Sequence, residues 1–396
     1  MSIILTEKQE EGLRLAVQRY NEGKPWTCIA GYAGTGKSTL IKFIISALGV
    51  DPESEVCYVA FTGKAATVLK QKGCPNAITA HKLLYKARPM PNGTYKFIPK
   101  DILEEDYKVI VVDEVSMLPR PMWEQLLRHG VYVLATGDPG QLPPIDKDAD
   151  NHVLDNPHVF LDEIMRQAQD SEIIRLSMWI REGKPLADFP CKGEQVQIFT
   201  ADQVVTGMYD WADQILCATN NKRNAINTQV RNQRGFGPEP AEGDKIISLK
   251  NHWDYLSQTG NWALTNGSIG TIDTYSKQSL RFPQWICAKP VTYMLTSIDL
   301  EDGDCFNCIP VDYQALTTGT PAMDNRQAYA LTKSKKGVPP FDFSYAYAIT
   351  CHKAQGSEWG KVLVFEEGFP FDAEEHRRWL YTAVTRASEK VVIVRK

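Results

Sequence analysis

The chain lacks any strong excess of charge: 44 Lys and Arg stand against 48 Asp and Glu, a formal net charge of −4 with a pI near 6.0. This excludes a globally basic nucleic-acid coat protein but not a local basic groove. No apolar run approaches the roughly 20 residues of a membrane span, and Met1-Ser-Ile-Ile-Leu-Thr-Glu-Lys8 has neither a basic flank nor a cleavage site. A soluble, cytoplasmic protein is expected. The nine cysteines are odd in number and scattered, which fits free thiols in a reducing compartment and excludes a regular disulfide framework. Cys305-Phe-Asn-Cys308 is the one close pair, and without a second Cys/His pair at finger-like spacing no zinc site is expected. Internal repeats and low-complexity tracts are also missing. What remains is 396 residues of ordinary globular composition, too long for one core and suited to two or three domains.

Gly31-Tyr-Ala-Gly-Thr-Gly-Lys-Ser38 fits the phosphate-loop pattern G-x-x-x-x-G-K-[ST]. In that pattern glycines let backbone N–H groups close around phosphates, the lysine reaches the terminal ones and the hydroxyl holds Mg²⁺. Trp26–Ala30 reads as a buried strand and Thr39–Leu48 as an apolar helix, the setting the motif requires. The first helix starts at the capping box Thr6-Glu-Lys-Gln9, so Gln9 has a structural task from the outset. Glu55–Ala60 reads as a second strand, and the alternation implies an α/β fold with a parallel sheet.

Between Lys86 and Asp106 the pattern breaks into a hairpin turning at Asn92-Gly93, with Pro89 and Pro91 confining one arm to an edge and Tyr95 and Phe97 on the other. Tyr107–Val112 is an apolar strand delivering Asp113-Glu114, and Gly130–Thr136 is another, delivering Gly137-Asp-Pro-Gly-Gln-Leu-Pro-Pro144. After a helix at 170–181, Ile215–Thr219 restarts the α/β pattern. From about Glu242 to Pro340 short β-rich runs with no convincing helix suggest a small barrel, with Trp253, Trp262 and Trp285 expected in its core and exposed stacking platforms as their alternative role. From Ser344 the α/β texture returns, with strands at 345–350, 361–365 and 391–394 and a helix near 373–387.

A strand-end Asp-Glu pair suits a division of labour: Asp113 holds Mg²⁺ through its water shell while Glu114 orients and deprotonates water. Hydrolysis further requires a γ-phosphate sensor and a cation, for which Gln141, Arg166 and Arg386 are candidates.

Together these blocks resemble the superfamily 1 helicases, specifically the RecD-like and Dda-like 5′→3′ subgroup. The resemblance runs through Gln9, Gly31 to Thr39, Thr62 to Ala66, Thr79-Ala-His81, Val112 to Met117, Gly137 to Pro144, Ile164-Met-Arg166-Gln, Ala348 to Glu358 and Tyr381 to Ala387, in the family's order. It implies two RecA-like domains, at 1–85 with 107–169 and at 170–241 with 343–396, and an ATP cleft between them. It also implies a strand-separating pin at 86–106 and an SH3-like insertion at 242–342. By this resemblance Gln9 reads adenine, and Gly34, Thr35, Gly36, Lys37, Ser38 and Thr39 bind ATP and Mg²⁺. Arg166 and Arg386 touch the γ-phosphate, and Glu358 lies near the nucleotide. Thr62, Lys64, His81, Thr350, His352 and Lys353 face DNA, with Phe97, or second Tyr95, at the duplex junction. Cys351 and Ala80 depart modestly from the family's usual residues. The implied activity is ATP-driven unwinding by a monomer in a bacterial or phage-infected cell. Its partners would be single-stranded and forked DNA, with single-stranded-DNA-binding protein or replication and recombination factors beside them. A translocase that strips proteins from DNA and, in a different class, a nucleotide kinase are the alternatives; the kinase leaves Gly137–Pro144 and Tyr381–Ala387 without a purpose.

Overall fold

The computed structural model describes residues 4–89, 95–143, 151–165, 170–260, 263–301, 303–334, 338–368 and 372–396. Asn92, Gly93, Pro144, Trp262 and Arg166 lie outside them, as do the side chains of Tyr95 and Trp253.

The first eight strands are β1 Trp26–Gly31, β2 Val56–Ala60, β3 Ala77–Thr79, β4 Tyr85–Pro89, β5 Tyr95–Pro99, β6 Val109–Val112, β7 Tyr132–Gly137 and β8 Val159–Leu161. Six of them form a parallel sheet in the order β3-β2-β6-β7-β1-β8. β2, β6 and β7 are buried along their whole length, because helices cover both faces, and this explains their unbroken apolar runs. One face packs Ala16, Leu40 and Ile44, the other Leu84, Met122 and Trp123. Register sets the site: Val59 pairs with Val112, Val112 with Ala135, and Ala30 with Gly137. The loops after β1, β6 and β7 therefore leave the sheet along one carboxyl edge, where α/β sheets bind ligands. β4 and β5 form the expected antiparallel hairpin, with Ala87 opposite Phe97.

A second parallel sheet has the order β18-β10-β19-β20-β9, from β9 Val196–Thr200, β10 Gln214–Cys217, β18 Ala348–Thr350, β19 Trp359–Phe365 and β20 Ala387–Arg395. Between β10 and β18 the chain builds β11 Lys245–Ser248, the two-stranded pair β12 His252–Leu256 and β13 Ala263–Leu264, then β14 Ile269–Leu280, β15 Val291–Leu300, β16 Cys305–Asp312 and β17 Phe343–Tyr345. Five of these form an antiparallel sheet, β16-β15-β14-β11-β17, whose ends approach through a bridge from Val311 to Phe341.

Two expectations for this stretch are corrected. It contains helices at Tyr313–Thr318 and Asn325–Ser334. Both depend on caps rather than periodicity: Asp312 accepts from Ala315 N at 2.9 Å, and Asp324 exchanges two hydrogen bonds with Gln327. Trp285 is 67% exposed and not in the core, which is built from aliphatic residues and phenylalanines such as Ile246, Met294, Phe306 and Phe343. No helix among the described residues is long and apolar enough to cross a membrane.

Candidate functional site

The phosphate loop turns at Gly34 (φ +79°) and Gly36 (φ +78°), left-handed positions that glycine adopts without strain. Helix Lys37–Leu48 then starts with no side-chain cap, leaving its first N–H groups without a side-chain acceptor, and Ser38 and Thr39 belong to its first turn. Lys37 Nζ donates to the carbonyls of Gly31 (2.7 Å) and Tyr32 (3.0 Å), and Thr35 Oγ1 donates to Tyr32 O at 2.8 Å. Gln9 combines two tasks. Its Oε1 accepts from Thr6 N (3.0 Å) to complete the capping box, while its Nε2 donates to Thr35 O (3.0 Å) and Met165 Sδ (3.3 Å). A Cβ at position 36 would stand 2.6 Å from that nitrogen, so the glycine also admits Gln9 to the loop.

Across the same edge, Asp113 Oδ1 accepts from Thr136 Oγ1 at 3.2 Å. Glu114 follows in a left-handed conformation (φ 51°), uncommon for a residue with a side chain and of the kind that aims functional groups. Its Oε1 accepts from Gln141 Nε2 at 3.0 Å, whereas Oε2 is sealed from solvent with no hydrogen-bond partner among the described residues. Burial first, and the neighbouring Asp113 second, push the Glu114 carboxyl up to about 7, against the opposing pull of Arg386 and Lys37. A carboxyl poised there is matched to proton abstraction near neutral pH.

Arg386 is 7% exposed and lies between helix Ala373–Val384 and β20 of the second sheet. Its guanidinium donates to Thr382 O (3.1 Å), Ser357 O (3.3 Å) and Thr385 Oγ1 (3.2 Å). The seam that brings it here is held by groups that reading the sequence alone did not single out. Tyr381 Oη accepts from Ala33 N (2.9 Å) and donates to Asp138 Oδ2 (2.6 Å). Leu142 N donates to Thr382 Oγ1 (2.9 Å), and Gln355 Nε2 donates to Leu142 O (3.0 Å). Leu142 itself is buried in the second sheet's core. Tyr381 opens the block containing Arg386, and Asp138 lies in the one containing Gln141, which was the available signal. Glu358, by contrast, is placed at the surface and pairs with Lys72 at 3.1 Å across the two halves.

The residues expected to face DNA are buried to different degrees, and Thr350 is 8% exposed. Thr62 caps helix Gly63–Gln71 by accepting from Ala65 N at 3.2 Å, so a structural task accounts for its hydroxyl. Lys64 Nζ lies 4.4 Å from the Trp359 ring centroid, and burial lowers it to about 8. His81 packs between Phe61 and Phe97, at 5.8 and 5.1 Å, and burial lowers its pKa. Phe97 is 46% exposed and two pairs in from Pro89 and Tyr95, so it leans on the hairpin's base. Thr350 precedes the short helix Cys351–Ala354, which carries half-buried His352 and Lys353. Burial, then Arg223, hold Lys353 down at about 8. Among the described residues no group of three or more His, Cys, Asp or Glu could hold a metal ion, and Cys305 and Cys308 are free thiols.

Comparison with known proteins places this arrangement. The AAA domain family matches residues 5–203, and the UvrD-like helicase C-terminal domain matches 345–394. The chain is similar to the ATP-dependent RecD2 DNA helicase of Deinococcus radiodurans, at 27% identity over 91% of this chain and 46% of that protein. It is also similar to the ATP-dependent DNA helicase dda of Enterobacteria phage T4, at 28% over 57% of this chain and 56% of that one. It therefore spans about half the length of these curated relatives. The Candida albicans Pif1 helicase crystal structure superposes with a TM-score of 0.56 at 18% identity, covering 99% of this chain and 94% of that one. A Bacteroides Pif1 helicase in complex with ADP-AlF3 and ssDNA also gives 0.56, at 16% identity over 99% and 92% of the two chains. The fold is thus a pair of RecA-like domains, one for each parallel sheet.

Proposed function

The chain belongs to the superfamily 1B helicases of the RecD-like and Dda-like kind, and on that premise we propose that it is an ATP-driven motor. It moves 5′→3′ along single-stranded DNA and separates the duplex ahead. The observation that carries this reading is the meeting, at the seam between the two parallel sheets, of groups from both sides. The Glu114 carboxyl, raised to about 7 and with one buried oxygen unpartnered, is held by Gln141 and feels both Lys37 and Arg386. Loop and first helical turn together offer backbone N–H groups and the Lys37 ammonium to a triphosphate. Ser38 and Asp113 are the hydroxyl and carboxylate suited to a bound Mg²⁺, which when present would neutralise phosphate charge. Glu114 takes the proton of the attacking water on Oε2, while Gln141 fixes the carboxylate through Oε1. Arg386 leaves its carbonyl partners to meet charge developing on the γ-phosphate, which makes turnover depend on the approach of the second domain; arginines in this role contribute roughly 10³–10⁵ in rate.

In this reading the hairpin 86–106 is the pin, 242–342 is an SH3-like accessory domain, and Lys64, His81, His352 and Lys353 line the track. Phe97 braces the pin on His81, consistent with a wedge that must not fold back under load. Both curated relatives described above are named ATP-dependent DNA helicases, and the Bacteroides neighbour is described in complex with single-stranded DNA, which supports the substrate class. The test is ATP turnover with and without single-stranded DNA. Wild type should be stimulated at least tenfold and Lys37→Ala should be inert in both conditions. Turnover driven by a small phosphate acceptor and indifferent to DNA would point to a kinase instead.

A further inference from the structure

We propose that Tyr381 is a positioning residue for ATP turnover, its hydroxyl tying the phosphate loop to the Asp138–Gln141 turn across the seam. The inference rests on the motor reading above and concerns a residue whose hydroxyl is bonded to Ala33 N and Asp138 Oδ2. Tyr381 belongs to helix Ala373–Val384 of the second domain and is 1% exposed. A phenol can accept and donate at once, and this one does both across the seam, to Ala33 of the phosphate loop and to Asp138. Asp138 is equally buried. Its other oxygen, Oδ1, accepts from Gly140 N at 2.8 Å, and its carbonyl accepts from Gln141 N at 3.1 Å, so the carboxylate shapes the turn that presents Gln141. Gln141 in turn holds Glu114. The approach is close: a Cβ at Gly140 would lie 3.1 Å from the Tyr381 ring.

The seam has separate attachments that do not reach the phosphate loop, namely Thr382 and Gln355 on Leu142. Among the described residues the Tyr381 hydroxyl is the side-chain group that hydrogen-bonds both the loop that grips phosphate and the turn that holds the base, and it rides on the helix that ends just before Arg386. When the domains part, both hydrogen bonds break together. Glu114 and the loop are thus set correctly only while Arg386 is in place.

Tyr381→Phe removes one oxygen and keeps the ring. Hydrogen exchange should rise at least tenfold in both segments, 31–36 and 137–142. With DNA present, kcat should fall at least tenfold while KM for ATP and DNA affinity stay within threefold. Asp138→Asn should lower kcat similarly, and the double variant should lose no more than the worse single one, because both act through one connection. Unchanged exchange in either segment, kcat within twofold of wild type, or losses that multiply in the double variant would overturn the proposal. If Tyr381→Phe does not fold, exchange and kcat of Asp138→Asn decide the matter on the same criteria. Wild type without DNA-stimulated turnover would instead sink the motor reading, and the exchange measurements would still decide whether the tie exists.

Discussion

Replacing Glu114 by glutamine should make the protein more stable and much less active. Folding raises this carboxyl from 4.5 to about 7, a difference worth about 3 kcal/mol. The folded chain holds the proton more tightly than the unfolded chain does. The cost is therefore absent below pH 4.5, grows as pH rises, and is complete above about 7. Glutamine keeps the acceptor that Gln141 uses and carries no charge, but it places an NH₂ where Oε2 is sealed from solvent, which retains part of the penalty. The net gain expected at pH 8 is about 1–3 kcal/mol, or a melting temperature higher by about 2–4 °C per kcal/mol for a domain of this size. At pH 5 the gain should largely disappear. Turnover should fall by about 10²–10⁴, the usual contribution of a positioned base. Calorimetric melts at the two pH values and a coupled ATPase assay read both effects. A variant no more stable than wild type at pH 8, or one turning over ATP within tenfold of it, would refute the assignment of Glu114 as a destabilised base.

Two further outcomes follow from other buried charges. Arg231 and Asp244 form a bidentate pair at 2.9 and 3.1 Å that also takes the Tyr347 hydroxyl, so Arg231→Met should strand the carboxylate and cost about 3–5 kcal/mol. Adding Asp244→Asn should recover part of it in thermal melts, and a loss below about 1 kcal/mol would contradict this. Lys353, lowered to about 8, is charged below that pH and neutral above it, so single-stranded-DNA affinity measured by anisotropy should fall between pH 7 and 9. Lys353→Gln should flatten that fall and reduce the salt slope by about one, while an unaltered pH and salt dependence would remove Lys353 from the DNA track.

Much of the site was legible because its parts are local. The phosphate loop carries its strand, turn and helix in one stretch, and Asp113-Glu114 announces itself at the end of an apolar strand. The pairing of Tyr381 with Asp138 was not, because 243 positions separate them and neither alone departs from an ordinary side chain. Gln9 was legible as a cap and as a nucleotide-site residue, but only packing shows its amide divided between Thr6 and Thr35. The two helices after β16 escaped notice because short helices leave little periodicity, and their caps at Asp312 and Asp324 look like turn residues in a β-rich stretch. Trp285 misled for a related reason: its size suggested a core, whereas Phe306, Phe341 and Phe343 already fill that space.

The most direct test of the motor reading is strand displacement from forked DNA bearing either a 5′ or a 3′ single-stranded tail, with ATP and Mg²⁺. ATP-dependent displacement is expected from the 5′-tailed fork and should be lost in Lys37→Ala. Displacement from the 3′-tailed fork alone, or none from either while ATP turnover is normal, would contradict it.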